Sequence, residues 1–183
     1  MGRKYAIRSQ DEFYFVTFTV VNWLDVFIRQ EYRNILIDSI KYCQQEKGLL
    51  VGAWCIMTSH VHLILGTEGT FKLEDIIRDL KSYTSRHIRK YMENNPQESR
   101  REWMLWMMKR AGEKKLNNKD FQFWQQHNHP IELSTKEIMI QRLNYVYYNP
   151  VEAGFVDQPS DWVSSSARDY EDQKGVIEIS LLY

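Results

Sequence analysis

Two histidines separated by one apolar residue, His60 and His62, are the clearest chemical signal in this sequence. Apolar residues surround them and the run ends at Gly66, which favours a strand over residues 61–65. Because side chains alternate across a strand, both imidazoles face the same way and Val61 faces the core. Two imidazoles on one face can bind one divalent cation. The alternative is a half-exposed strand whose histidines make ordinary hydrogen bonds.

A helix is predicted downstream, over residues 138–149. Ser134 can cap its start, Glu137 has the spacing of a capping-box partner, and Pro150 is expected to stop it. On such a helix one face is expected to be buried, formed by Met139, Leu143, Val146 and Tyr147.

The other face of this helix carries polar groups, among them Tyr145 and Asn149, which are four residues apart and therefore stack one above the other. A phenol beside an amide oxygen suits a nucleophile placed next to a metal ligand. Tyr147 is interpreted as a packing residue with a solvated hydroxyl.

A second His-x-His pair, His127 and His129, precedes the tyrosine helix. One interpretation joins all four histidines into a zinc site, catalytic or structural. A second, which depends on the family resemblance given next, places this pair at the edge of an active site, where it would contact DNA phosphate or orient the tyrosine. A third makes them surface histidines on a loop.

Taken together and in order, the motifs resemble those of the single-tyrosine HUH transposases, and most closely of the REP-associated tyrosine transposases. The resemblance covers roughly residues 10 to 170. Its central part is the His-hydrophobic-His strand followed by a helix with Tyr, four residues and then Pro. The other matching segments are residues 15–19, 54–58, 79–84, 123–124, 149–156, 161–162 and 164–166.

Several roles follow from the resemblance. His60 and His62 would bind a divalent metal, Mg²⁺ or Mn²⁺, with the Asn149 amide oxygen as third ligand. Tyr145 would be the nucleophile that cleaves single-stranded, hairpin-bearing DNA and leaves a 5′-phosphotyrosine, from which the strand can be rejoined. The metal or a nearby base must help with the proton, because free tyrosine has a pKa of about 10. Candidates for the base include Lys81, His127 and His129. A catalytically inactive or domesticated hairpin-binding protein remains the alternative.

Charge along the chain is uneven although its formal net charge is zero. Residues 72–119 hold 13 Lys and Arg against 7 Asp and Glu, and the remainder holds 11 against 17. A basic middle suits a phosphate-binding face, although such runs more often only solvate helices. The tentative DNA contacts are Arg78, Lys81, Arg86 and Arg142.

The elements that must position these residues follow from hydrophobic periodicity. Strands are predicted over residues 13–20, 50–57, 61–66 and 121–124, with an edge strand near 176–182. Helices are predicted over residues 31–47, 73–93 and 98–115. The second of these is expected to bury Ile76, Ile77, Leu80, Tyr83, Thr84, His87, Ile88 and Tyr91, and the third to pack Trp103, Leu105, Trp106, Met107 and Met108 together.

This order predicts an α+β fold, an antiparallel sheet with helices packed on it. The family resemblance implies a ferredoxin-like HUH nuclease fold with the histidine strand central. We expect one domain over residues 1–183, with a helical insertion around 96–118 and a C-terminal arm over 151–183. With 43% hydrophobic residues and no signal peptide or membrane span, a cytoplasmic protein is expected, with buried, reduced Cys43 and Cys55. A homodimer is possible on this sequence.

Overall fold

The fold is built on one sheet of four strands; the structure, a computed structural model, describes residues 6–113 and 120–182. The strands are β1 (Tyr14–Thr19), β2 (Leu49–Ile56), β3 (His60–Thr67) and β4 (Ile131–Glu132). Their spatial order is β2-β3-β1-β4, and every neighbouring pair is antiparallel. The histidine strand β3 is therefore an inner strand, as predicted.

Four helices accompany the sheet: α1 (Gln30–Lys47), α2 (Leu73–Asn94), α3 (Arg101–Glu113) and α4 (Lys136–Glu152). The order β1-α1-β2-β3-α2-β4 and the sheet order together give the ferredoxin-like arrangement, which confirms the predicted α+β fold. Between α2 and β4 the chain adds α3, and after β4 it adds α4.

Two apolar layers cover the two faces of the sheet. Alternate residues of β1, namely Tyr14, Val16 and Phe18, belong to the larger layer with α1 and α2. The residue between them, Phe15, belongs to the smaller layer with Leu143 and Val146 of α4. The two-residue period of β1 and β3 thus separates a sealed face from a face that α4 covers only in part.

The predicted strand at residues 121–124 is wrong. Trp124 makes only an isolated β-bridge to Val20, and the sheet is extended instead by β4. Burial explains the apolar run: Phe123 and Trp124 are almost fully buried, and the Trp124 indole N–H donates to Thr84 Oγ1 at 3.0 Å.

For two helices, α2 and α3, the buried face is narrower than predicted. Tyr83 and Tyr91 of α2 are exposed, and the exposed His87 stacks on Tyr83. In α3 the buried residues are Met104, Met108 and Gly112, whereas Trp103 and Trp106 are about half exposed. Each helix packs against the domain along one narrow face, so aromatic residues at the stripe edges remain in solvent.

The C-terminal residues pack on β2 without forming the predicted edge strand. Ile177 is buried and the Ser180 N–H donates to Val51 O at 2.8 Å, but no strand forms there. The predicted helix over 98–115 and the insertion around 96–118 extend into residues 114–119, which lie outside the described residues. The single-domain arrangement stays a prediction.

Within residues 6–113 and 120–182, no helix is long and apolar enough to cross a membrane. Cys43 and Cys55 are both buried and unpaired with each other, as predicted.

Candidate active site

The His60–His62 pair lies on the partly covered face of the sheet, where β3 runs beside β1. Register places His60 opposite Thr19 and His62 opposite Thr17. The two rings are 4.7 Å apart, centre to centre. The His62 Nδ1 is 3.0 Å from Thr17 Oγ1, and His60 Nδ1 is 3.2 Å from Ser59 Oγ. Each ring is therefore oriented through its Nδ1.

Burial keeps both imidazoles neutral. It lowers the pKa of His60, against a smaller opposing effect of Asp25, and lowers the pKa of His62 to about 3, with a further contribution from His60. The His62 Nε2 is buried and has no hydrogen-bond partner among the described residues. A neutral imidazole with an unused buried nitrogen is the form that binds a metal. The donor set therefore fits a divalent cation.

Helix α4 begins at Lys136. Thr135, not Ser134, is the N-cap, and its Oγ1 accepts from the Ile138 N–H at 3.3 Å. The helix also continues through Pro150 to Glu152. Proline has a helical φ, but it removes one helical hydrogen bond and its ring crowds the carbonyl four residues earlier, and the helix ends two residues after it.

The faces of α4 are close to those predicted. Leu143 and Val146 are buried against the sheet. Tyr147 was expected to join them but is only half-buried, and its hydroxyl donates to a Glu171 carboxylate oxygen. Tyr145 is 38% exposed, on the side of α4 that faces the histidines.

Ring contacts join the tyrosine to the histidine pair. The Tyr145 ring lies 4.9 Å from the His62 ring, edge to face. Phe15 supports both, at 5.7 Å from His62 in a stacked geometry and 5.7 Å from Tyr145 edge to face. The structure thus brings together residues that are more than 80 positions apart in the sequence.

An open cleft of about 510 Å³ forms where these residues meet, and both Tyr145 and Asn149 line it with His60 and His62. The predicted nucleophile and all three predicted metal ligands therefore share one cavity. No cluster of three or more His, Cys, Asp and Glu side chains with metal-binding spacing exists within the described chain, so the four histidines do not form one zinc site.

Two residues of this cleft, Trp23 and Glu152, were not identified from the sequence. Trp23 packs edge to face on His60 at 5.4 Å, and both Asn22 and Trp23 have a φ of 55°, a left-handed conformation that the sequence does not signal. Glu152 is exposed and adds a carboxylate to the cleft. Its place seven residues after Tyr145, two turns along the same face, is the signal that was available.

The tentative DNA contacts fall into two groups. Arg78 and Arg86 lie on α2, which covers the opposite face of the sheet, and Arg78 is paired with Asp75 and Asp79. Arg142 lies beside Phe15: its guanidinium is 5.3 Å from the centre of the Phe15 ring, and its buried Nε has no hydrogen-bond partner among the described residues.

Lys81 is partly buried and supports a loop. Its ammonium donates to Gln125 O at 2.8 Å and to Asn128 Oδ1, and it lies 5.2 Å from the Phe18 ring centre. Burial lowers the pKa of Lys81 to about 8. His127 and His129 lie on the loop that Lys81 holds, and line a groove beside the site rather than the tyrosine cleft.

Comparison with known proteins identifies the family. Residues 14–127 match the model of the family described as "Transposase IS200 like", well over half of the chain. The chain belongs to the IS200-like transposase family. This family match includes His60 and His62 and ends before α4.

The fold is shared with a solved structure. Across 100% of this chain and 94% of the other, the chain is similar to a REP-associated tyrosine transposase bound to a REP hairpin, at 18% identity and a TM-score of 0.66. A candidate transposase from Deinococcus radiodurans R1 gives 18% identity and a TM-score of 0.45, over 80% of this chain and 94% of that one. No curated protein matches.

Proposed function

We propose that this IS200-like transposase cleaves and rejoins single-stranded, hairpin-bearing DNA through a covalent 5′-phosphotyrosine at Tyr145. The observation that carries the proposal is the shared cleft, in which the Tyr145 ring lies 4.9 Å from His62. The similar fold of a tyrosine transposase bound to a REP hairpin supports a hairpin substrate and a place in the REP-associated branch.

His60, His62 and Asn149 would hold the divalent cation, Mg²⁺ or Mn²⁺. Two neutral imidazoles suit Mn²⁺ better than Mg²⁺, which prefers oxygen ligands. A bound cation would withdraw charge from a non-bridging phosphate oxygen and orient the phosphate for attack. Thr17 fixes the His62 ring through Nδ1 and thereby directs Nε2 to the metal position.

The chemical step is a displacement at phosphorus. The Tyr145 oxygen forms a bond to phosphorus, the bond to the 3′ oxygen breaks, and the leaving 3′ oxygen takes up a proton. Attack by a 3′ hydroxyl on the phosphotyrosine reverses the step and rejoins a strand, so phosphodiester bonds are conserved. Half exposure of Tyr145 leaves room for a DNA strand above the helix.

Glu152 is the group that we propose as proton acceptor for Tyr145. It lines the tyrosine cleft, whereas the acceptors considered from the sequence, Lys81, His127 and His129, do not. A carboxylate in the cleft can take the phenol proton directly or through one water molecule.

The test is a denaturing gel of the protein with Mn²⁺ and a labelled single-stranded hairpin taken from the DNA that flanks its own gene. Wild type is expected to give a slower, covalent protein–DNA band, and Tyr145→Phe to give none. Tyr148→Phe is the matched control, because Tyr148 is exposed on the same helix and lies outside the cleft. A band that persists in Tyr145→Phe contradicts the assignment.

The same samples distinguish the active transposase from the second candidate, a domesticated hairpin-binding protein. Tight hairpin binding on a native gel, without a covalent band in wild type, would favour it.

A further inference from the structure

A second groove, of about 770 Å³, lies beside the tyrosine cleft and has no part in the proposed chemistry. Four segments line it: α3, the loop over residues 122–131, β1, and residues 21–22 that follow β1. The insertion helix α3 thus contributes a wall of a groove next to the site.

The groove is lined by an aromatic ring, a guanidinium and several amide groups. Trp106 of α3 is 52% exposed, and the Arg110 guanidinium lies 5.2 Å from its ring centre. The facing loop contributes the amides of Gln125, Gln126 and Asn128. Exposed aromatic rings stack on unpaired bases, and amide side chains hydrogen-bond to base edges.

The loop that carries these amides is held in place by the sheet and by the ammonium of Lys81. Lys81 donates to Gln125 O and to Asn128 Oδ1, and the Thr17 N–H donates to Asn128 O at 3.3 Å. Because Asn128 Oδ1 already accepts from Lys81, its NH₂ group remains to donate. A fixed loop loses little conformational entropy when a ligand binds.

The groove is continuous with the metal-binding residues through β1. Thr17 lines both cavities and contacts His62 through Oγ1. Phe15 lines the groove and packs against both His62 and Tyr145. Phe15 and Thr17 thus connect the groove to the residues around Tyr145.

We propose that this groove binds one unpaired base of the DNA strand, close to the phosphate presented to Tyr145, stacked on Trp106 and contacted by the amides of the loop. This inference rests on the proposed function, since it places the base relative to the tyrosine cleft. The groove would then help to select where the strand is cut.

The test measures binding of the fluorescein-labelled hairpin strand by fluorescence anisotropy, in a Tyr145→Phe background that prevents cleavage. Each unpaired nucleotide is replaced in turn by an abasic site. One position is expected to weaken binding about tenfold, as for loss of one base–aromatic stack. Trp106→Ala should bind the intact strand about tenfold more weakly and lose the sensitivity to that abasic site.

Trp103→Ala is the matched control. Trp103 is 53% exposed on the same helix but does not line the groove, so its removal should leave the abasic profile unchanged. Identical profiles for the two tryptophan variants, or no sensitive position in wild type, would overturn the inference.

Failure here and failure of the proposed function give different results. A covalent band that depends on Tyr145, together with an abasic profile independent of Trp106, leaves the chemistry standing and removes the base site. An abasic profile that depends on Trp106, without any covalent band, leaves the base site standing and removes the chemistry. No binding of the strand by wild type contradicts both.

Discussion

The chain contains the pattern His-x-His twice, and the two pairs differ in everything except spacing. His60 and His62 lie on an inner strand, with rings 4.7 Å apart and a buried Nε2 on His62. His127 and His129 lie on an exposed loop, with rings 5.8 Å apart and tilted by 49°. A strand forces alternate side chains onto one face, whereas a loop imposes no such rule.

The difference extends to the groups that fix each pair. His62 is oriented by Thr17 of the neighbouring strand, so the sheet itself aligns its ring. The loop that carries the other pair is held by the Lys81 ammonium and by a backbone hydrogen bond from Thr17 to Asn128, and His129 has a φ of 44°. Metal-ligand geometry therefore comes from the element that carries the pattern and from its neighbours, and the spacing alone does not specify it.

The largest expected effect comes from removing the strand pair. His62→Ala should lower the rate of covalent adduct formation about 1,000-fold, because activation of the phosphate by a bound cation contributes several kcal/mol. Mn²⁺ affinity, measured by calorimetry, should fall with it. Unchanged Mn²⁺ affinity in a folded His62→Ala protein would show that the metal binds elsewhere.

The sequence correctly predicted which side chains share a face wherever the period of a single strand or helix determines it. The two-residue period of a strand placed His60 and His62 on one face, and the i, i+4 spacing of a helix aligned Tyr145 with Asn149.

Other features depend on contacts that no local pattern records. The short strand β4 exists because Ile131 and Glu132 meet the edge of β1, while the more apolar residues 121–124 are drawn into the core instead. Trp23 reaches His60 through a left-handed backbone turn. The loop contacts of Lys81, to Gln125 and Asn128, are more than 40 residues away in sequence, so no local pattern shows them.

The next largest effect is expected at Lys81, which holds the loop of His127 and His129. It is a change in the free energy of unfolding with pH. An unfolded lysine keeps its proton up to about pH 10.5, whereas burial lowers the pKa of folded Lys81 to about 8. Between these values the unfolded chain holds more protons, so the free energy of unfolding rises with pH. Relative to Lys81→Met, wild type should gain up to about 3 kcal/mol between pH 8 and pH 10.5.

Urea unfolding of both proteins at several pH values measures this difference. A difference between wild type and Lys81→Met that stays constant across the window would mean that Lys81 titrates as an exposed lysine does.

The third effect tests how the sheet orients the strand pair. Thr17→Val removes the contact with His62 Nδ1 but keeps the side-chain shape and the β-branch. Mn²⁺ affinity should fall about tenfold, the lower end of the range for losing a group that orients a metal ligand. Thr19→Val is the matched control, because Thr19 lies opposite His60 without a hydrogen bond to its ring in the described chain. Equal losses in the two variants would contradict the orienting role of Thr17.

The smallest effect is expected at the loop pair itself. His127→Ala and His129→Ala should each change Mn²⁺ affinity and adduct formation by no more than about twofold, as for exposed side chains away from a reacting centre. The reason is geometric: both rings line the groove beside the site, and neither lines the cleft that holds Tyr145. A loss of Mn²⁺ affinity comparable with that of His62→Ala would mean that the loop moves to bring a second pair of imidazoles onto the metal, and the two pairs would then act as one site.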